Sequence, residues 1–216
     1  MPTITKISEQ RRRPNRRNVY LDGQFAFGVN LNVVARFRLR EGMSITSEQV
    51  GEIEHGELRQ EVFDQATRYL GQRLHTRAEL HRKLMRREYG ERIISDVLDQ
   101  LEQLGYVDDK RFATAKALSA AQHKHHGKRR AAVELIKAGV KGETARRALE
   151  EVYEAHDSLA VARQLAEKQA PSLRRLDGVV ARRRLIGMLL RGGFTYDEIR
   201  PVIDEVLGKD HDLSSE

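Results

Sequence analysis

The sequence predicts an all-α protein: an elongated array of three tandem three-helix repeats behind a small N-terminal β-hairpin/α segment. Two observations carry that expectation. From about residue 59 onward, apolar residues recur at helical spacing, and the same apolar pattern returns twice further along the chain. Before that point lies the only stretch with strand character, and it contains an Asp-Gly turn signal.

The elements follow in order. Thr3-Ile4-Thr5-Lys6-Ile7 alternates as a half-buried strand does. After a basic loop, Val19-Tyr20-Leu21 and Phe25-Ala26-Phe27 flank Asp22-Gly23. An Asp-Gly pair between β-formers favours a type I′ hairpin, because both central residues need positive φ. A short helix is expected over Asn32 to Phe37, then a turn at Arg40-Glu41-Gly42-Met43. Thr46, with Gln49 three residues later, has capping-box spacing for the next helix.

The repeats rest on register. Ile94, Val97, Leu98 and Leu101 fall on one helical stripe, which returns as Ala145, Ala148, Leu149 and Val152 and again as Ile199, Val202, Ile203 and Val206. Upstream, Leu84 and Tyr89, Leu135 and Val140, and Leu189 and Phe194 occupy matching positions. Thr76 with Glu79 and Thr195 with Glu198 mark helix starts, while Gly139 and Gly193 fit the left-handed residue that closes a helix. In the first copy Glu88 stands at that closing position and Gly90 follows, so a shifted turn is expected there. The opening helices match more loosely, with Phe63, Ala66, Leu70 set against Phe112, Ala115, Ser119 and against Leu159, Ala162, Ala166. The expected division is 1–58, then repeats over 59–106, 107–154 and 155–209, then a tail at 210–216.

Composition narrows the function. The 216 residues hold 39 Lys+Arg against 32 Asp+Glu, a net charge of +7, with 33% charged and 39% hydrophobic residues. That balance suits small helical units with thin cores. The absence of cysteine excludes disulfides, thiolate zinc sites and cysteine nucleophiles. No apolar run approaches the roughly 18 residues of a membrane span, and no apolar segment follows the basic N-terminal stretch as in a secretory signal. A soluble, cytoplasmic chain is expected. The basic excess sits in residues 1–60 (+3) and 107–154 (+4), and points to a polyanionic partner.

Within each repeat the middle helix is expected to carry the cations: Arg82, Lys83, Arg86 and Arg87; Lys128, Arg129, Arg130 and Lys137; Arg182, Arg183, Arg184 and Arg191. One such cluster alone reads as a solvated helix face; three in register favour a discontinuous track for phosphates or an acidic protein groove. The loop carrying Arg11, Arg12, Arg13, Arg16 and Arg17 is the densest positive patch, readable as a flexible arm on a phosphate backbone or as a solubilising hairpin tip. Tyr20, Phe25 and Phe27 are expected in the small N-terminal core. His123, His125 and His126 sit beside Lys124, which opposes metal binding, and are expected in an interhelical loop. Asp108 and Asp109 are expected to cap the helix holding Phe112, since no carboxylates elsewhere answer them as a magnesium site. No phosphate-binding glycine loop, nucleophile elbow or metal-ligand spacing occurs, so no catalytic, cofactor or metal residue is expected.

Three motifs resemble one known family. Leu104-Gly105-Tyr106-Val107-Asp108-Asp109-Lys110-Arg111-Phe112-Ala113 closely resembles the unit-joining signature of RecX, the bacterial regulator of the RecA recombinase. Tyr20-Leu21-Asp22-Gly23-Gln24-Phe25-Ala26-Phe27 resembles the N-terminal hairpin of longer members. Arg68-Tyr69-Leu70, with Arg73, Thr76, Glu79-Leu80 and Lys83-Leu84, resembles the start of the first repeat. The resemblance extends to about Lys209; Leu74 stands where the family often has proline, and Glu88 where it usually has glycine. It implies a non-catalytic modulator of homologous recombination, DNA repair and the SOS response. Such proteins bind RecA, lie in the groove of the RecA–single-stranded DNA filament, and lower its strand-exchange, ATPase and co-protease activities. A monomer with weak direct DNA binding, no cofactor and no membrane contact is expected. The family offers no catalytic motif to transfer, and for binding only the basic helix faces match by position, chiefly Lys128, Arg129, Arg130 and Lys137. Two other functions remain alternatives: a general nucleic-acid-binding protein without RecA dependence, and a magnesium-dependent nuclease acting through Asp108 and Asp109.

Overall fold

A computed structural model describes residues 1–173 and 175–208; the end of the third repeat at Lys209 and the tail at 210–216 lie outside the described residues. The described residues form two compact units. The first comprises Met1–Arg73 with Leu80–Tyr106, and the second comprises Leu74–Glu79 with the chain from Val107 onward.

In the first unit, β1 (Ile4–Gln10), β2 (Arg13–Leu21) and β3 (Gln24–Asn30) make an antiparallel sheet in that order. Leu21 pairs with Gln24 across Asp22 and Gly23, whose φ values of 48° and 83° are those of the expected type I′ turn. The hairpin is thus the second half of a three-stranded sheet. The register slips between Val19 and Tyr20, which face Phe27 and Phe25 respectively. That bulge moves Phe25 to the other face, where it packs edge-on against Tyr20 and stays 60% exposed. Phe25 is therefore outside the core expected for it, while Phe27 packs against it. The core itself joins Ile4, Val19 and Val29 of the sheet to Val33, Leu39, Ile45 and Ile53.

α1 (Leu31–Arg36) is capped by Asn30, and α2 (Ser47–Leu70) by the Thr46–Gln49 capping box. α2 runs unbroken past residue 58. Its later part carries the buried Val62 and Ala66, and opens the first repeat ahead of α3 (Arg77–Met85) and α4 (Glu91–Gln103). Leu80, Leu84, Ile94, Val97, Leu98 and Leu101 are all fully buried, as the stripe requires. The turn after α3 is unshifted: Glu88 itself adopts φ 63°, the left-handed conformation that Gly139 and Gly193 adopt in the other repeats.

The second unit holds α5 (Asp109–Gln122), α6 (Lys128–Ala138) and α7 (Gly142–Ala155), then α8 (Ser158–Leu173), α9 (Gly178–Gly192) and α10 (Tyr196–Leu207). Each trio encloses its own core. The first is built on Phe112, Leu135, Leu149 and Val152, and the second on Leu185, Leu189, Phe194 and Ile203. Within α5 the buried face is Phe112, Ala113, Ala117, Ala120 and Ala121, so Ala115 is exposed and the opening-helix register expected for it is corrected.

Candidate binding interface

The N-terminal arginines are held against the sheet. β2 begins at Arg13, so only Arg11 and Arg12 form a turn, and the expectation of a loop through Arg17 is corrected. Arg16 explains why: its guanidinium pairs with Glu57 Oε1 at 2.7 Å and donates to the Gly28 carbonyl at 3.1 Å. Arg17 donates to the carbonyls of Pro14 at 2.6 Å and Arg16 at 3.0 Å. Both arginines thus stitch the strand, while Arg11, Arg12 and Arg13 remain exposed.

In the first repeat α3 ends at Met85, which puts Arg86 and Arg87 in the closing turn and off the middle helix expected to carry them. Lys83 lies over the Tyr69 ring at 4.4 Å, and Arg87 Nε donates to the Tyr69 hydroxyl at 3.1 Å. Arg82 is exposed on α3. In the third repeat Arg182 is tied to Asp204 at 2.8 Å, while Arg183, Arg184 and Arg191 are exposed on α9.

The second repeat presents its charge differently. Lys128, Arg129 and Arg130 form the exposed first turn of α6, and no acidic residue lies in that turn. Three cations at a helix N-terminus oppose the macrodipole. The compensation comes from α9, whose C-terminal end abuts this turn. Gly127 N donates to Gly192 O at 2.9 Å, and Arg129 N donates to Gly193 O at 3.3 Å. The negative end of one helix thereby meets the positive end of the next, and Arg130 Nη1 reaches the Arg191 carbonyl at 3.5 Å. Asp177 caps the far end of α9. A Cβ on Gly193 would overlap the backbone nitrogen of Arg130, so glycine is required there for contact as well as for φ 94°. A parallel contact within this unit has Thr76 Oγ donating to Ala138 O at 2.6 Å while accepting from Glu79 N at 3.0 Å.

Beyond this joint, Lys137 lies in the last turn of α6, where the dipole favours it. Glu134 accepts from Lys124 at 2.8 Å and pairs with Lys116 at 3.4 Å. Burial opposes its charge, yet the two lysines outweigh burial and hold the carboxyl below its ordinary range. His126 contacts Glu134 at 3.0 Å; burial lowers its pKa despite that carboxylate. The histidines at 123, 125 and 126 occupy the α5–α6 connection, as expected. Asp108 caps α5, accepting from Lys110 N and Arg111 N, and Asp109 accepts from Arg77 N at 2.9 Å. Both carboxylates are thus engaged as helix-end acceptors, and among the described residues no group of three metal-ligating side chains converges.

The first unit also carries an open groove of about 1140 Å³ between α1, α2 and α4, lined by Arg36, His55 and Arg59 facing Asp96 and Asp99. Its mixed charge contrasts with the single sign at the α6–α9 joint. That joint escaped the sequence reading because backbone groups make it. The signal that marks it is the small residues Gly127 and Gly192-Gly193 at meeting helix ends.

Family models cover the chain in order. Residues 2–46 match the regulatory protein RecX N-terminal domain, and 63–101, 108–149 and 156–203 match the first, second and third three-helix domains of RecX. The chain belongs to the RecX family. A regulatory protein RecX from Leuconostoc mesenteroides is 30% identical over 212 residues, covering 98% of this chain and 79% of that one. RecX from Bacillus subtilis is 28% identical over 206 residues, covering 95% of this chain and 78% of its own. A crystal structure of a regulatory protein RecX superposes with a TM-score of 0.78 over 94% of this chain and 100% of that one; at 22% identity it shows the shared fold. RecX from Lactobacillus salivarius gives a TM-score of 0.61 at 25% identity, over 70% of this chain and 97% of that one. RecX is a family of regulatory proteins, not an enzyme family. Among the described residues no helix is long and apolar enough to cross a membrane.

Proposed function

We propose that this chain is a non-catalytic, cytoplasmic modulator of RecA. It binds RecA and the groove of the RecA–single-stranded DNA filament, and lowers recombinase, ATPase and co-protease activity in DNA repair, recombination and the SOS response. The observation that carries this reading is RecX-family identity along nearly the whole chain. The α6–α9 joint supports it with exposed cations on helix ends joined by backbone hydrogen bonds, which suit an acidic groove and phosphates. Among the sites, Lys128, Arg129 and Arg130 contribute most, with Lys137, Arg183, Arg184 and the first-repeat cations adding weaker contacts that sum through effective concentration. Direct DNA binding is weak, and the chain acts as a monomer.

The test is RecA's ATP hydrolysis on single-stranded DNA with this protein added well below one copy per RecA, alongside bare-DNA binding at two salt concentrations. Inhibition with weak bare-DNA binding supports the reading. An unaffected ATPase with tight, steeply salt-dependent DNA binding favours the alternative of a general nucleic-acid-binding protein, which the +7 net charge motivates.

A further inference from the structure

Leu84, Leu135 and Leu189 are the matched core leucines of the middle helices, each fully buried. The residue after each is a large apolar side chain that faces solvent: Met85 is 42% exposed, Ile136 56% and Leu190 44%. Among the described residues no other repeat position exposes a large apolar side chain in all three copies. The next residue is a cation every time: Arg86, Lys137 and Arg191.

A lone exposed leucine on a soluble protein needs no explanation. The same apolar–cationic pair at one register position of three units is a different observation. One step past the core leucine is about 100° around the helix, far enough to leave the core, so core packing does not require an apolar side chain there. A polar residue would hold the helix equally well. The cation beside each apolar group makes the patch complementary to a carboxylate bordering an apolar recess. A phosphate backbone offers no such recess, and stacking on bases uses aromatic rings, whereas all three side chains here are aliphatic.

We propose that Met85, Ile136 and Leu190, each with its following cation, are three copies of one anchor for an acidic protein surface that itself repeats, namely the successive subunits of a homopolymer. The inference rests on the proposed function and deepens it. It assigns recognition of the protein component of the filament to these anchors, and attraction to phosphates to the α6–α9 joint.

The full-length chain carrying Met85→Ser, Ile136→Ser and Leu190→Ser tests this, with thermal unfolding confirming the fold. Binding is measured to RecA filaments assembled on single-stranded DNA with a non-hydrolysable ATP analogue, and to the same DNA without RecA. Each single substitution should weaken filament binding about fivefold, and the triple substitution about a hundredfold, while bare-DNA binding stays unchanged. Ile136→Leu should bind as the parent does. Filament binding by the parent chain that survives the triple substitution overturns the anchors and leaves the proposed function standing, as does an equal loss on bare DNA. Failure of the parent chain to bind filaments overturns both.

Discussion

Two regions of this chain are dense in arginine, and the fold puts them to opposite uses. In β2, Arg16 and Arg17 are turned back onto Glu57 and onto backbone carbonyls, so the positive run stabilises a strand. At the start of α6, backbone groups join the helix ends, and Lys128 and Arg129 are left facing solvent. A run of cations in a sequence therefore does not reveal which charges are free. What decides it is whether the neighbouring backbone finds its partners without the side chains.

The sharpest way to break the comparison is Gly193→Ala. It places a Cβ at positive φ and forces it against the backbone of Arg130, two penalties that together destabilise the second unit by about 2–5 kcal/mol. Urea unfolding read by circular dichroism measures it, and a loss below about 1 kcal/mol would mean that the α6–α9 joint is not held as described. Next comes Arg16→Ala. It strips the cation from Glu57, which is only 15% exposed and still accepts from Asn30 N, and is expected to cost about 1–3 kcal/mol. A neutral result would place Arg16 with the free cations.

A smaller effect, of opposite sign, distinguishes the repeats themselves. Glu88 holds the same left-handed conformation as Gly193 without glycine's freedom, so Glu88→Gly should stabilise the first unit by about 1 kcal/mol. The smallest effect belongs to Arg129→Glu with Arg130→Glu, expected to keep stability within about 0.5 kcal/mol, since neither side chain is in a core and acidic groups at the start of α6 suit its dipole, offsetting the lost contact of Arg130 with the Arg191 carbonyl.

Much of this was legible beforehand, for physical reasons. The stripes at 94–101, 145–152 and 199–203 bury their residues, with Val206 half-buried against the third core, because a helix with one apolar face has only one way to remove it from water. The Thr46–Gln49 and Thr195–Glu198 boxes formed as spaced because their hydrogen bonds are local. The misplaced elements are those where side chains carry no contrast. α5 buries alanines, so Ala115 and Ala117 look alike in sequence though only Ala117 is in the core. β2 is pinned through arginines, so its first half lacks apolar alternation. Phe25 changed faces through a bulge, a backbone event. Glu88 shows that a turn can keep its geometry without the residue that usually signals it.

The measurement that bears most directly on the proposed role compares the parent chain with Arg129→Glu/Arg130→Glu in RecA's ATP hydrolysis on single-stranded DNA, both added well below one copy per RecA. Inhibition by the parent chain is expected, with at least a tenfold loss of potency in the variant and its unfolding midpoint unchanged. A variant that inhibits as well as the parent would contradict the assignment of the α6–α9 joint as the binding interface.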